Sequence, residues 1–153
     1  MVIILDYMKL ALQEAYKSFE KGEVPVGAVI VKDNKIISVG HNLKETNNDV
    51  TQHAEIIAIQ RASKALGTWR LNGCEMYVTL EPCVMCTGAI LHSRLSKLHI
   101  GSFNKDMGCC GSVMNLVDNR RLGSFLFVNW CYDDRCSKIL TEFFEERRKS
   151  KND

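Results

Sequence analysis

Long apolar runs, charge of one sign and linker composition are all missing from this chain. No run approaches the roughly 20 apolar residues that a bilayer-spanning helix needs, so no membrane association is expected. The formal net charge is only +2, from 20 basic and 18 acidic residues, and excludes a strongly basic nucleic-acid-binding stripe. Any contact with nucleic acid must be local. Proline occurs twice, at Pro25 and Pro82, and there is no repeat and no tract rich in Pro, Gly or Ser to separate domains. With 46% hydrophobic residues in a chain of 153, a single domain over residues 1–153 with one proper core is expected. The opening MVIILDYMKL has a short apolar run, no preceding basic segment and an early Asp6, so it does not read as a secretion signal. Cysteine, by contrast, is plentiful. Seven is an odd number, which favours reduced thiols and metal ligands over a disulfide framework and makes the cytoplasm the expected compartment.

Helical and strand periods alternate along the chain and predict an α/β fold. Asp6 precedes a helical stretch to about Lys21, with Leu10, Ala11, Ala15 and Phe19 as its apolar stripe and Gly22 to end it. VPVGAVIVKDNKIISVGHN gives two strands around a tight turn at Asp33 and Asn34, a hairpin. HAEIIAIQRASKALG is a helix closed by Gly67, CEMYVTL a strand, CVMCTGAILHSRL a helix and KLHIGSF a strand. SFLFVNWC is a last strand and DDRCSKILTEFFEERRKSK a terminal helix whose lysine-rich end is expected to fray.

YVTLEPCVMC, residues 77 to 86, sets two cysteines three residues apart behind a proline. Pro82 suits the first position of a helix, which places Cys83 and Cys86 on one face of its opening turns. Unpaired N–H groups and the positive end of the helix dipole favour thiolate there, the form that binds zinc. Two sulfurs fill half of a tetrahedral site. HAE, residues 53 to 55, offers the rest. Within a helix the positions of His53 and Glu55 diverge, but at a helix start the flanking residue need not be helical. His53 can then ligate while Glu55 stands beside the metal. A His-Cys-Cys set leaves the fourth position open for water, as a catalytic zinc requires. Because two thiolates nearly cancel the ion's charge, a nearby base is needed, and Glu55 fits as proton shuttle.

Plainer readings compete. His-x-Glu is common at surface helix starts, and Cys-x-x-Cys serves redox pairs and structural zinc sites. A closed structural site needs a fourth protein ligand, for which Cys74, Cys109, Cys110, His41 and His92 are imaginable donors, yet none comes with a second paired spacing. The spacing therefore favours a catalytic zinc.

His-x-Glu followed by Pro-Cys-x-x-Cys is the zinc deaminase signature. Together with VPVGAVIV, HAEI, YVTLEPCVMCTGAILHSR and the terminal FFEERR, it makes the chain resemble the bacterial tRNA-specific adenosine deaminases over almost its whole length. The resemblance implies a cytidine deaminase-like three-layer α/β/α sandwich with a mixed five-stranded sheet, one Zn2+ per chain and a homodimer. It implies His53, Cys83 and Cys86 as metal ligands, Glu55 as the catalytic proton shuttle and Asn42 as a hydrogen-bonding partner of the target base. Without the resemblance, Asn42 would read as a turn residue. The implied activity is hydrolytic deamination of adenosine to inosine at the wobble position of a tRNA anticodon, with water attacking C6 of a base splayed from a single-stranded loop.

The resemblance also implies that the HSR segment, with His92 and Arg94, lies near the RNA-binding side and that the terminal helix presents an aromatic to the anticodon loop. Phe144 and Arg147 are thus expected substrate contacts; the other reading of Phe143 and Phe144 is core, and of Arg147, Arg148, Lys149 and Lys151 a solvated helix end. In GSFNKDMGCCGS, residues 101 to 112, the family usually has aspartate at Asn104 and lysine at Asp106. The resemblance sets residue 104 beside the ribose. An asparagine there both donates and accepts, which would loosen the demand for a 2′-hydroxyl; the other reading is a turn asparagine capping its loop. Two further functions stay open: a deaminase of free guanine or another small nucleobase, and a non-catalytic zinc-binding interaction module.

Overall fold

The structure is a computed structural model and describes residues 5–153. Helix α1 (Tyr7–Glu20) starts at Asp6, whose carboxylate accepts from the Lys9 N–H at 3.0 Å, the cap its sequence promised. Met8, Ala11, Leu12 and Ala15 form its buried face, and Gly22 turns the chain away in the left-handed region at φ 74°. Strands β1 (Gly27–Lys32) and β2 (Lys35–His41) form the expected hairpin. Asp33 and Asn34 both take positive φ at its turn, 49° and 60°, which matches the right-handed twist of the flanking strands. Helix α2 (Ala54–Leu66) ends at Gly67 with φ 67°.

Strand β3 (Cys74–Val78), helix α3 (Val84–His92) and strand β4 (Lys97–Ile100) make a parallel crossover unit. The predicted last strand divides. β5 (Asp118–Asn119) and β6 (Ser124–Phe125) form a small separate ribbon, and only β7 (Phe127–Trp130) joins the main sheet. The break falls at Leu126, which buries its side chain in the core and donates its N–H to the Val117 carbonyl at 2.7 Å. Helix α4 (Asp134–Lys151) closes the chain. It runs to Lys151, with Arg148, Lys149 and Lys151 in its last turn, where cations complement the helix dipole.

The five-stranded sheet has the order β2-β1-β3-β4-β7, antiparallel across its first three strands and parallel across its last three. Alternation along β1 sorts the two faces. Val29 and Val31 pack with Met8, Leu12, Cys136 and Ile139 of α1 and α4, whereas Ala28 and Ile30 pack with Ala54, Ala58 and Ile90 of α2 and α3. The result is the three-layer sandwich with a mixed five-stranded sheet. Two glycines permit the close approach: a Cβ at Gly27 would enter the backbone of α1 at Ala11, and one at Gly40 that of α2 at Ala54.

Candidate active site

Because β3, β4 and β7 are parallel, their C-terminal ends share one edge of the sheet, and α3 begins there directly after β3. Pro82 does not start α3 as expected. It lies outside the helix, Cys83 is the N-cap in extended conformation (φ −73°, ψ −179°), and Val84 is the first helical residue. His53 is likewise the extended N-cap of α2, at φ −83° and ψ 152°, and neither cap residue spends its side chain on its own helix. Both side chains are thereby free to turn toward each other. His53 Nδ1 lies 3.8 Å from Cys83 Sγ and 3.5 Å from Cys86 Sγ, and the three donor atoms fall within 4.8 Å of one another. Among the described residues no other group of three His, Cys, Asp or Glu donors converges in this way, so none of Cys74, Cys109, Cys110, His41 or His92 completes a closed site.

Glu55, one residue into α2 and buried, accepts from Cys86 Sγ at 3.3 Å through Oε2. Burial raises its pKa above the usual carboxylate value. The neighbouring Cys86 sulfur drops the Cys83 pKa to about 3, with further help from His53, and the nearness of Cys83 raises that of Cys86. The hydrogen bond to Cys83 likewise raises the pKa of His53. One imidazole and two sulfurs form a donor set that fits zinc, with three protein ligands and room for a fourth.

The cluster lies in a cavity of about 280 Å³ whose wall includes Asn42, Glu55, Leu80, Glu81, Asn104, Met107 and Arg147. Asn42 donates through Nδ2 to the Val24 carbonyl and accepts through Oδ1 from the Ala54 N–H, both at 2.9 Å. It supplies the cap that His53 leaves unmade, and its second amide hydrogen remains for a ligand. Asn104 accepts from the Met107 N–H at 3.1 Å, the loop cap of the plainer reading, while also facing the cavity. Phe143 and Phe144 divide: Phe143 is buried edge-on against Phe19, ring centres 5.7 Å apart, and Phe144 is 44% exposed. Arg147 reaches the cavity, donates to the Gly22 carbonyl at 2.9 Å and lies over the Phe143 ring. His92 and Arg94 line a different cavity, with Leu122, Phe125 and Phe127.

Two buried carboxylates at the cavity wall, Glu23 and Glu81, escaped the sequence reading. Glu23 accepts from the Glu45 and Thr46 N–H groups, each at 2.9 Å, and so holds the segment after Asn42. Glu81, 1% exposed, accepts from the N–H groups of Asn104, Cys110 and Ser112 at 3.0 to 3.1 Å and from the Ser112 hydroxyl. Gly108 lies so close to that carboxylate that a Cβ would overlap it. The only signal for Glu81 was an acid standing between apolar Leu80 and the Pro-Cys turn.

Known proteins share this arrangement. The family described as MafB19-like deaminase matches residues 4–148. The tRNA-specific adenosine deaminase of Bacillus subtilis (strain 168) is 48% identical over 95% of this chain and 91% of its own. A solved structure from a study of A-to-I editing by tRNA:A34 deaminases at the wobble position of transfer RNA superposes with a TM-score of 0.84 at 38% identity, covering 88% of this chain and 98% of that one. A guanine deaminase from Bacillus subtilis reaches 0.62 at 41% identity over 65% of this chain and 64% of its own. With the matched residues spanning the His53, Cys83 and Cys86 cluster and nearly the whole sandwich, the chain belongs to the MafB19-like deaminases and, within them, to the tRNA-specific adenosine deaminases.

Proposed function

We propose that this protein deaminates adenosine to inosine by hydrolysis at the wobble position of a tRNA anticodon. The observation that carries the reading is the convergence of His53, Cys83 and Cys86 with the Glu55 carboxylate against Cys86 at the wall of a cavity sized for one base. A zinc ion held by His53 Nδ1 and the two sulfurs would supply the positive charge that makes a water nucleophilic there. Glu55 takes one proton of the attacking water and delivers it to N1 of the purine as the C6–O bond forms, then carries the proton of the new C6 hydroxyl to the amine as the C6–N bond breaks, so that adenosine and water give inosine and ammonia. Asn42 presents its remaining amide hydrogen to the base. Asn104 and Met107 form another part of the cavity wall, and Arg147 with the exposed Phe144 offers charge and an aromatic face to the loop nucleotides.

The guanine deaminase likeness gives a second reading, since a free purine also fits the cavity. The test is direct: purified protein with an anticodon stem-loop, free adenosine and free guanine, with inosine and xanthine quantified. Inosine in the stem-loop alone upholds the proposal, and turnover of guanine without RNA activity replaces it. A homodimer is supported by the exposed apolar side chains of Leu122, Phe125 and Phe127 around the cavity that holds Leu91 and His92, and sedimentation measures it. Among the described residues no helix is long and apolar enough to cross a membrane. Seven unpaired cysteines support residence in the reducing cytoplasm, where the substrate would be met.

A further inference from the structure

Three aromatic rings outside the catalytic cavity gather on the same edge of the sheet. Phe103 lies three residues beyond the end of β4, Trp130 is the last residue of β7, and Tyr132 follows it. The two strands are parallel, so all three rings sit at the edge where Cys83 caps the start of α3. Phe103 stacks on Trp130 with centres 4.7 Å apart and planes 30° apart, and Tyr132 closes the group at 5.4 Å from Phe103. Trp130 is anchored by packing against the core, but burial does not explain the other two rings, because Phe103 is 52% and Tyr132 66% exposed. Tyr132 is also held in the left-handed backbone region at φ 48°, a conformation that costs a residue with a Cβ and that a turn would ordinarily give to glycine.

The cluster is continuous with the site. Phe103 is the neighbour of Asn104, which with Met107 lines the catalytic cavity, and Glu81 fixes the loop that carries them. Lys105, two residues after Phe103, adds an exposed positive charge to the same loop. An aromatic face of this kind, next to a pocket for one splayed base and a cation for a phosphate, suits a stacked nucleobase of single-stranded nucleic acid.

We propose that Phe103, Trp130 and Tyr132 form a stacking shelf for the nucleobase adjoining the target adenosine, an inference that rests on the tRNA deaminase reading. Stacking is tolerant of base identity, so the shelf orients the loop without selecting its sequence.

The test uses zinc-loaded protein carrying Glu55→Ala, which holds its RNA unreacted, and an anticodon stem-loop with 2-aminopurine on either the 5′ or the 3′ side of the target. Binding is expected to quench 2-aminopurine at one flank. Phe103→Ala should remove that quenching and raise Kd about tenfold, and Phe103→Tyr should restore both. Tyr132→Gly relieves the backbone strain while deleting the ring, so a loss of affinity there with an unchanged or higher Tm is not misfolding. Quenching and Kd unaffected by both deletions would overturn the shelf. So would deletions that alter self-association in sedimentation yet leave RNA binding intact, since the rings would then meet a second copy of the chain. If the natural protein leaves the stem-loop undeaminated, it is the underlying functional reading that fails.

Discussion

Glu81 and Ser112 are joined twice, the carboxylate accepting from the Ser112 N–H at 3.1 Å through Oε2 and from its hydroxyl through Oε1. With the Asn104 and Cys110 N–H groups on the same carboxylate, the glutamate beside the Cys83 turn fixes both ends of the loop that walls the cavity. Glu81→Gln keeps the volume but turns one acceptor into a donor facing N–H groups, at about 1–3 kcal/mol for each group left unsatisfied. The expected result is one zinc retained, with kcat/KM on the stem-loop lowered about tenfold, chiefly through KM. A glutamine variant with unchanged KM would show that the carboxylate merely fills space.

Removal of the proton shuttle and removal of a ligand should have opposite effects on metal content. Glu55→Ala is expected to keep zinc and lose turnover by about 10²–10⁴-fold or more, measured by elemental analysis and single-turnover assays. Cys86→Ala should lose zinc and stability together, because the metal ties the start of α2 to the start of α3. Normal turnover by the Glu55 variant would remove that residue from the mechanism.

Acid should weaken the fold through buried histidines. Burial lowers the His99 pKa from 6.5, against the opposing pull of Glu75 at 3.0 Å, and burial lowers that of His41 as well. Below pH 6.5 the unfolded chain then takes up protons that the folded chain refuses, so the stability present above that pH is lost as it falls through the window beneath. His99→Gln should remove part of the rise of Tm with pH between 5 and 8, a contribution that the raised pKa values of His53 and Glu55 oppose.

The two adjacent phenylalanines of α4 should separate in their effects. Phe143→Ala empties a buried contact with Phe19 and should cost about 3 kcal/mol in denaturant unfolding. Phe144→Ala should cost under about 0.5 kcal/mol yet weaken stem-loop binding. That binding should fall as salt rises. An equal loss of stability in both variants would contradict the split.

Asn104→Asp tests whether residue 104 reads the sugar. An aspartate can still accept from the Met107 N–H, so the loop should persist and the comparison remain clean. If the side chain meets the ribose, Asn104→Asp should raise the ratio of deamination rates on matched ribo and deoxyribo loops. An unchanged ratio would leave Asn104 as a loop cap alone.

The sequence by itself determined the local events. Asp6 at a helix start, Asp33 and Asn34 at a hairpin turn and Gly67 at a helix end were legible because each depends on its own side-chain chemistry and backbone freedom. The spacing of Cys83 and Cys86, with His53 and Glu55, was legible because zinc chemistry restricts both ligand type and geometry. What only the tertiary structure decided are relations between segments distant in the chain. The cap that Asn42 provides to Ala54, the four hydrogen bonds on Glu81 and the division of SFLFVNWC at Leu126 exist because packed layers bring separate backbones together and bury polar groups that must then find partners. The same reason separates Phe143 from Phe144: the helical period turns consecutive side chains about 100° apart, and only the placement of α4 against α1 decides which goes to the core and which stays in solvent.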